Sequence, residues 1–219
     1  MAAFVAEPVG ARRGSVVMLQ EIFGVNEAMR EKARDFASNG YKVVVPDLFW
    51  RIQPRVDLGY SEAERAEGFG LMQKFDQAAG AADVRDAIAW LRDDDPDHRK
   101  VALIGFCLGG RLAVLAGAAN PDVAAIVSFY GVRLDLCGDQ LRALSGPFQL
   151  HVGDRDAHVP DEHVAAVRAA LGGTPGRNIF VYADAQHGFY NAVRGDVYCA
   201  DAAALARART LALLANVQS

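Results

Sequence analysis

Val101-Ala-Leu-Ile-Gly105-Phe106-Cys107-Leu108-Gly109-Gly110 is the stretch that decides the fold. An apolar run reads as a buried strand, and the small apolar residues Leu108–Ala119 that follow read as a buried helix. Between them, Gly105 and Gly109 flank Cys107 at two positions on either side. This is the G-x-S-x-G strand-to-helix turn with Cys in place of Ser. The turn is so tight that side chains at the flanking positions would clash. Its backbone N–H at Leu108 opens a helix and points at the same space as the sulfur, as an oxyanion donor must.

Outward from this turn, strand and helix signals alternate. Toward the N-terminus, Ser15–Gln20 is a buried-strand candidate, Asn26 can cap a helix running to Gly40, and Tyr41–Pro46 is a second strand. Residues 61–94 have a helical pattern and are expected to form two helices broken near Gly80. Toward the C-terminus, strands are expected at Val123–Tyr130, Pro147–Val152 and Asn178–Tyr182, and helices at Asp161–Leu171 and Ala200–Asn216. Apolar strands alternating with helices predict a mostly parallel sheet with helices on both faces and right-handed crossovers. The expected architecture is an α/β-hydrolase fold in a single domain, residues 1–219.

The bulk properties fit that frame. Of the 219 residues, 52% are hydrophobic and 23% charged, with a net charge of −4 spread without long runs of either sign. Such a balance offers nothing to nucleic acid or a membrane surface. No stretch approaches the roughly 18 apolar residues of a membrane span. Residues 1–14 lack the apolar core of a signal peptide, so a cytoplasmic location is expected. The three cysteines, Cys107, Cys137 and Cys199, are odd in number and far apart, which is no disulfide framework. A monomer is the default expectation.

In a parallel sheet, ligands bind outside the carboxyl ends of the strands. Two further segments lie there. Gln149–Asp156 is a strand followed by loop carboxylates, and Tyr182–Phe189 is a strand followed by His187. The order Cys107, Asp154, His187 is nucleophile, acid, histidine, the chain order of α/β-hydrolases. A free thiol has a pKa of about 8.5, so a base is needed at neutral pH. His187 would take the proton and later activate water, while the acid would fix the imidazole tautomer. Asp156 competes with Asp154 on the same loop; Asp154 is favoured because it comes first after the strand, and the residues leave the choice open. His151 reads as a satisfied core histidine, His158 and His163 as loop and helix surface, and Cys137 and Cys199 as incidental. No His-Glu-x-x-His or paired Cys-x-x-Cys occurs, so no metal site is expected.

Gln20-Glu21-Ile22-Phe23-Gly24-Val25-Asn26, Pro46-Asp47-Leu48, the Cys107 turn and His187-Gly188-Phe189 resemble the dienelactone hydrolase (carboxymethylenebutenolidase) family over nearly the whole chain. The resemblance implies cofactor-free hydrolysis of a carboxylate-bearing enol lactone, dienelactone to maleylacetate, in aromatic catabolism. It also implies roles at matching positions. Glu21 would sit beside Cys107 and help generate the thiolate. The N–H groups of Ile22 and Leu108 would form the oxyanion hole. Arg65 would bind the substrate carboxylate, with Phe23, Phe69, Met72 and Asn191 around the substrate. Relative to the family, the N-terminus is short enough that an initial strand or hairpin is expected to be lacking.

The chain also departs from the family's pattern. Phe69 and Met72 stand where the family often has Tyr and Trp, and Gly188 and Asn191 where well-known members have Ser and Arg. Losing that second carboxylate anchor would cost about 1.5–3 kcal/mol of binding. Arg194 could replace the charge, although a solvated loop arginine is the favoured reading. A thiolate is expelled in preference to a poor leaving group, so only an activated ester acylates it efficiently, and an enolate leaves easily. The alternatives are a carboxylesterase or thioesterase of the same fold acting on other activated esters or, less favoured, a redox-reactive thiol protein.

Overall fold

The computed structural model describes residues 1–95 and 100–218. Seven strands form one sheet: β1 (Ala3–Ala6), β2 (Gly14–Leu19), β3 (Tyr41–Pro46), β4 (Val101–Phe106), β5 (Ile126–Phe129), β6 (Phe148–Gly153) and β7 (Arg177–Tyr182). Their order is β1-β3-β2-β4-β5-β6-β7, with every pairing parallel except β1 against β3. Strands β2 to β6 are buried throughout, as apolar runs covered on both faces must be.

The helices are α1 (Glu27–Ser38), α2 (Glu62–Lys74), α3 (Gln77–Asp94), α4 (Leu108–Ala119), α5 (Gly138–Ala143), α6 (Asp161–Leu171) and α7 (Ala200–Val217). Residues of α3, α4, α5 and α6 join one core on one face, around Leu19, Leu103 and Leu150. Those of α1 and α7 join a second core on the other face, around Met18, Ile104 and Val127. The alternation of residues along β2 and β4 between the two cores follows from the period of two in a strand. A third, smaller cluster holds Ile22, Phe23, Phe49, Val56, Leu71 and Leu108 beneath the long connection that contains α2.

Four local expectations need correction. The chain does carry an initial strand: β1 is an edge strand of four residues, too short to show a period. The break between α2 and α3 falls at Phe75–Asp76, not at Gly80. Asp76 caps α3 by accepting from the N–H groups of Ala78 and Ala79, and Gly80 lies inside that helix, where the space suits glycine because a Cβ would stand 2.3 Å from the Phe75 ring. Strand β5 is shorter than expected, since Tyr130 turns out of it with φ 40°. Between β5 and β6, a 3-10 turn at Leu134–Leu136 and α5 add structure that had no clear periodic signal.

After β2 the chain moves to β3 on one side, and β4 then returns to the other side of β2. The direction of winding therefore reverses between β2 and β4, which opens a crevice at their carboxyl ends. Glu21 lies two residues beyond β2, and Cys107 one residue beyond β4. Topology thus places these two residues at one spot before any side-chain contact is considered.

Candidate active site

Cys107 sits at φ 54°, ψ −112°, a conformation a non-glycine residue adopts only when its surroundings enforce it. The enforcement comes from close packing. A Cβ on Gly105 would stand 2.0 Å from the Gly109 carbonyl oxygen, and one on Gly109 would stand 2.3 Å from that of Leu19. The Cys107 N–H donates to the Phe129 carbonyl (3.0 Å), which ties the turn to the end of β5. In the first turn of α4, the Gly109 N–H donates to Gln20, and those of Gly110 and Arg111 donate to Cys107 itself. Leu108 alone keeps its N–H unspent there, and the Ile22 N–H is also unspent among the described residues. Both residues line the cavity beside Cys107.

His187 approaches from the loop after β7. Its Nδ1 lies 2.8 Å from Asp156 Oδ2 and 3.1 Å from Oδ1. The carboxylate that meets the histidine is thus Asp156, which corrects the expectation of Asp154. Asp154 still follows the β6–β7 ladder, with its N–H donating to Tyr182, and its side chain is exposed. The chain then turns, with the Asp156 N–H returning to the Gly153 carbonyl, and this carries the second carboxylate inward. Asp156 is buried, and its Oδ1 also accepts from the N–H groups of His158 and Val159, which fixes the carboxylate. Burial opposes a charged His187. A negative charge on the Cys107 sulfur and the Asp156 carboxylate outweigh that, so its pKa is pushed up to about 10.

Glu21 is buried, with 3% of its surface exposed. Its Oε1 accepts from the Tyr130 hydroxyl at 3.0 Å, and its Oε2 from the Asn191 amide at 3.3 Å. Burial and the Glu21 charge hold the Tyr130 phenol well above its ordinary pKa, so it stays a donor. Asn191 does not touch the cavity, contrary to expectation. It is fully buried behind Glu21, with its amide also donating to the Tyr60 hydroxyl at 2.8 Å. An arginine carries its charge on a longer stem. The shorter amide at this position instead becomes a support for Glu21.

Arg65, Phe23, Phe69 and Met72 line the same cavity as Cys107, Glu21 and His187, which has a volume of about 770 Å³. Arg65 has no carboxylate partner among the described residues. Arg194 lines it too and is no solvated loop residue: its side chain is 10% exposed, pairs with Asp196 at 3.2 Å, and lies over the Tyr60 ring. The glycine at 188 helps to make this possible, since a Cβ there would approach Arg194 Nη1 to 3.0 Å.

His158, expected on the surface, is at the cavity wall with its ring 4.7 Å from that of His187. Burial and the His187 charge lower its pKa. His151 is a core residue, held between the Tyr182 hydroxyl (2.7 Å) and Gln149 (3.1 Å), and burial lowers its pKa to about 3. His163 lies on α6 beside Asp135. Sequence reasoning missed Tyr130 and Tyr60. Tyr130 follows the carboxyl end of β5 and could have been found by the rule that located Cys107. Tyr60 lies in the loop before α2 and had no signal.

Among the described residues, no group of three or more His, Cys, Asp or Glu side chains could hold a metal ion, and no helix is long and apolar enough to cross a membrane.

The family model described as the dienelactone hydrolase family matches residues 1–218. Carboxymethylenebutenolidases from Pseudomonas putida and Pseudomonas knackmussii are each 37% identical over 218 residues, covering 99% of this chain and 92% of theirs. A crystal structure of a putative dienelactone hydrolase from Klebsiella pneumoniae matches with a TM-score of 0.83 at 27% identity, over 98% of this chain and 99% of that one. The chain belongs to the dienelactone hydrolase family, and is a hydrolase of the α/β-hydrolase fold.

Proposed function

We propose that the enzyme opens carboxylate-bearing enol lactones through a Cys107–His187–Asp156 triad and an acyl-enzyme. The observation that carries this reading is one cavity that holds Cys107, His187 and Glu21 together with the cations Arg65 and Arg194. A thiol nucleophile selects an easy leaving group, and the arginines select an anion. Arg65 anchors the substrate carboxylate, and Arg194, already paired with Asp196, adds its positive field to the cavity wall.

In the reaction, the Cys107 sulfur attacks the lactone carbonyl carbon. The resulting oxyanion is received by the N–H groups of Leu108 and Ile22, and the electron pair returns to break the ring C–O bond. Protonated His187 supplies a proton to the departing enolate oxygen. Acylation removes the negative charge from sulfur, which is the largest influence holding the His187 pKa up. His187 then becomes neutral at a lower pH and can take a proton from water, whose oxygen attacks the thioester and expels the thiolate. Asp156 fixes the imidazole tautomer in both halves. The thiolate and protonated His187 arise together, by transfer of the Cys107 thiol proton to the imidazole as substrate arrives, and Glu21, aligned by Tyr130 and Asn191, assists that transfer.

Steady-state assays of cis- and trans-dienelactone beside 4-nitrophenyl acetate and an acyl thioester test the reading. Dienelactone turnover should exceed simple ester turnover; equal or slower turnover overturns it. Mass spectrometry should find a transient acyl adduct on Cys107 that persists longer in His187→Ala. Stoichiometric sulfenate or disulfide without turnover would instead indicate a redox-reactive thiol.

A second reading, an esterase or thioesterase for bulkier activated esters, draws on the cavity volume of about 770 Å³. That lies toward the upper end of the ~300–1,000 Å³ typical of pockets for drug-sized ligands.

A further inference from the structure

Arg111 and Arg133 also line the Cys107 cavity, and the chemistry above gives neither a task. Both are fixed close to the nucleophile. The Arg111 N–H donates to the Cys107 carbonyl at 3.3 Å, and so does the N–H of Val132, the residue before Arg133. Arg133 occupies the left-handed region at φ 56°, ψ 32°, a conformation enforced at the start of the 3-10 turn. Cys137 lies between the two residues: the Arg111 charge acts on its thiol, and the thiol donates to the Arg133 carbonyl at 3.6 Å. No carboxylate pairs with either guanidinium among the described residues. The Arg111 Nε is buried without a hydrogen-bond partner. Arg111 is half-buried and Arg133 exposed at the cavity mouth; a half-buried cation such as Arg111 left without a counter-charge is costly, and a bound anion would offset that cost.

By contrast, Arg155 and Arg194 at the same cavity are paired, with Asp184 and Asp196 respectively. Among the described residues, the unpaired cations are thus Arg65 on α2 and the couple formed by Arg111 on α4 and Arg133 before the 3-10 turn. The cavity therefore offers two separate anion positions, with Cys107 one helical turn from the second.

We propose that Arg111 and Arg133 form a second anion subsite, and that the preferred substrate is an activated ester or lactone whose acyl portion carries two carboxylates. This deepens the proposed function and rests on Cys107 as the acylated residue.

Three 4-nitrophenyl esters test it, with spontaneous hydrolysis subtracted: the neutral butyrate, the monoanionic glutarate hemiester and a dianionic tricarballylate monoester. Wild type should show the highest kcat/KM on the dianion. In Arg111→Gln/Arg133→Asn, the dianion-to-butyrate ratio of kcat/KM should fall at least about tenfold, mostly through KM. Arg111→Lys should keep most of the ratio. Asn tolerates positive φ, so Arg133→Asn alone gives a reading should the Arg111 variant fail to fold. A wild type with no preference for the dianion, or a ratio unchanged in the variants, overturns the proposal. A wild type that prefers the dianion but opens no dienelactone leaves this subsite standing and defeats the lactone reading instead.

Discussion

At the scale of single residues, the site depends on which carboxylate reaches His187. Asp156→Asn keeps the side-chain shape but removes the negative partner of Nδ1, so the imidazole loses its orientation and its tautomer. We expect kcat to fall by about 10²- to 10⁴-fold, whereas Asp154→Asn, on an exposed side chain, should stay within about twofold of wild type. Steady-state kinetics of the two variants decide between the acids. The charge on His187 depends on the neighbouring sulfur. In Cys107→Ala its NMR titration should move well below the value of about 10, because the largest raising influence is gone. Its folded pKa lies above the unfolded value of about 6.5, so the stability it contributes is full below that pH and is lost as pH rises toward 10. Chemical denaturation of wild type and His187→Gln should therefore show a gap that narrows across that window. The two aspartates are indistinguishable in the sequence, since both follow β6 and the turn that reverses the chain is made by backbone hydrogen bonds.

At the scale of elements, the strand-to-helix turn was legible because glycines mark where backbones touch. Gly109→Ala would bring a Cβ to 2.3 Å from the Leu19 carbonyl oxygen, and backbone cannot yield there. A loss of about 3 kcal/mol or more in denaturant unfolding is expected, together with loss of the oxyanion geometry. Helix α1 carries a less visible tension. Lys32 is buried among apolar groups, with its amine 3.3 Å from the Ala28 carbonyl and over the Phe106 ring. Burial lowers its pKa despite the nearby charges of Glu21 and Glu31. A lowered lysine pKa penalises the fold below that folded pKa, and the penalty fades as pH approaches 10.5. Lys32→Met should therefore raise the unfolding free energy at pH 7 by on the order of 1 kcal/mol, with the gain shrinking toward pH 10.5. The helix periodicity could not show this, because a lysine at a core-facing position reads as an ordinary break in the apolar stripe.

At the scale of the whole molecule, net charge and local field have opposite signs. The chain carries −4 overall, yet Arg65, Arg111, Arg133, Arg155 and Arg194 all line one cavity, against Glu21 and Asp196 as its carboxylates. A cavity with low-dielectric walls concentrates such a field and steers anions inward. For a carboxylate-bearing substrate, kcat/KM should fall as salt rises from about 0.01 M to 0.3 M, the range over which the Debye length shrinks below the cavity's dimensions. A neutral ester should show little change. Parallel salt profiles for the two substrates would refute steering by the cavity.

Composition and spacing alone determined the alternation of strands and helices, the parallel sheet, Cys107 at its turn and His187 after the last strand. Each rests on local rules: hydrophobic period, glycine at a close approach, chemistry at strand ends. Tertiary structure decided the rest. It chose Asp156 over Asp154, moved Asn191 behind Glu21, drew Arg194 into the cavity and brought Arg111 and Arg133 to its wall. The physical reason is that these outcomes depend on where loops from different strands converge in space, and neither periodicity nor spacing encodes which side chain of a loop turns inward.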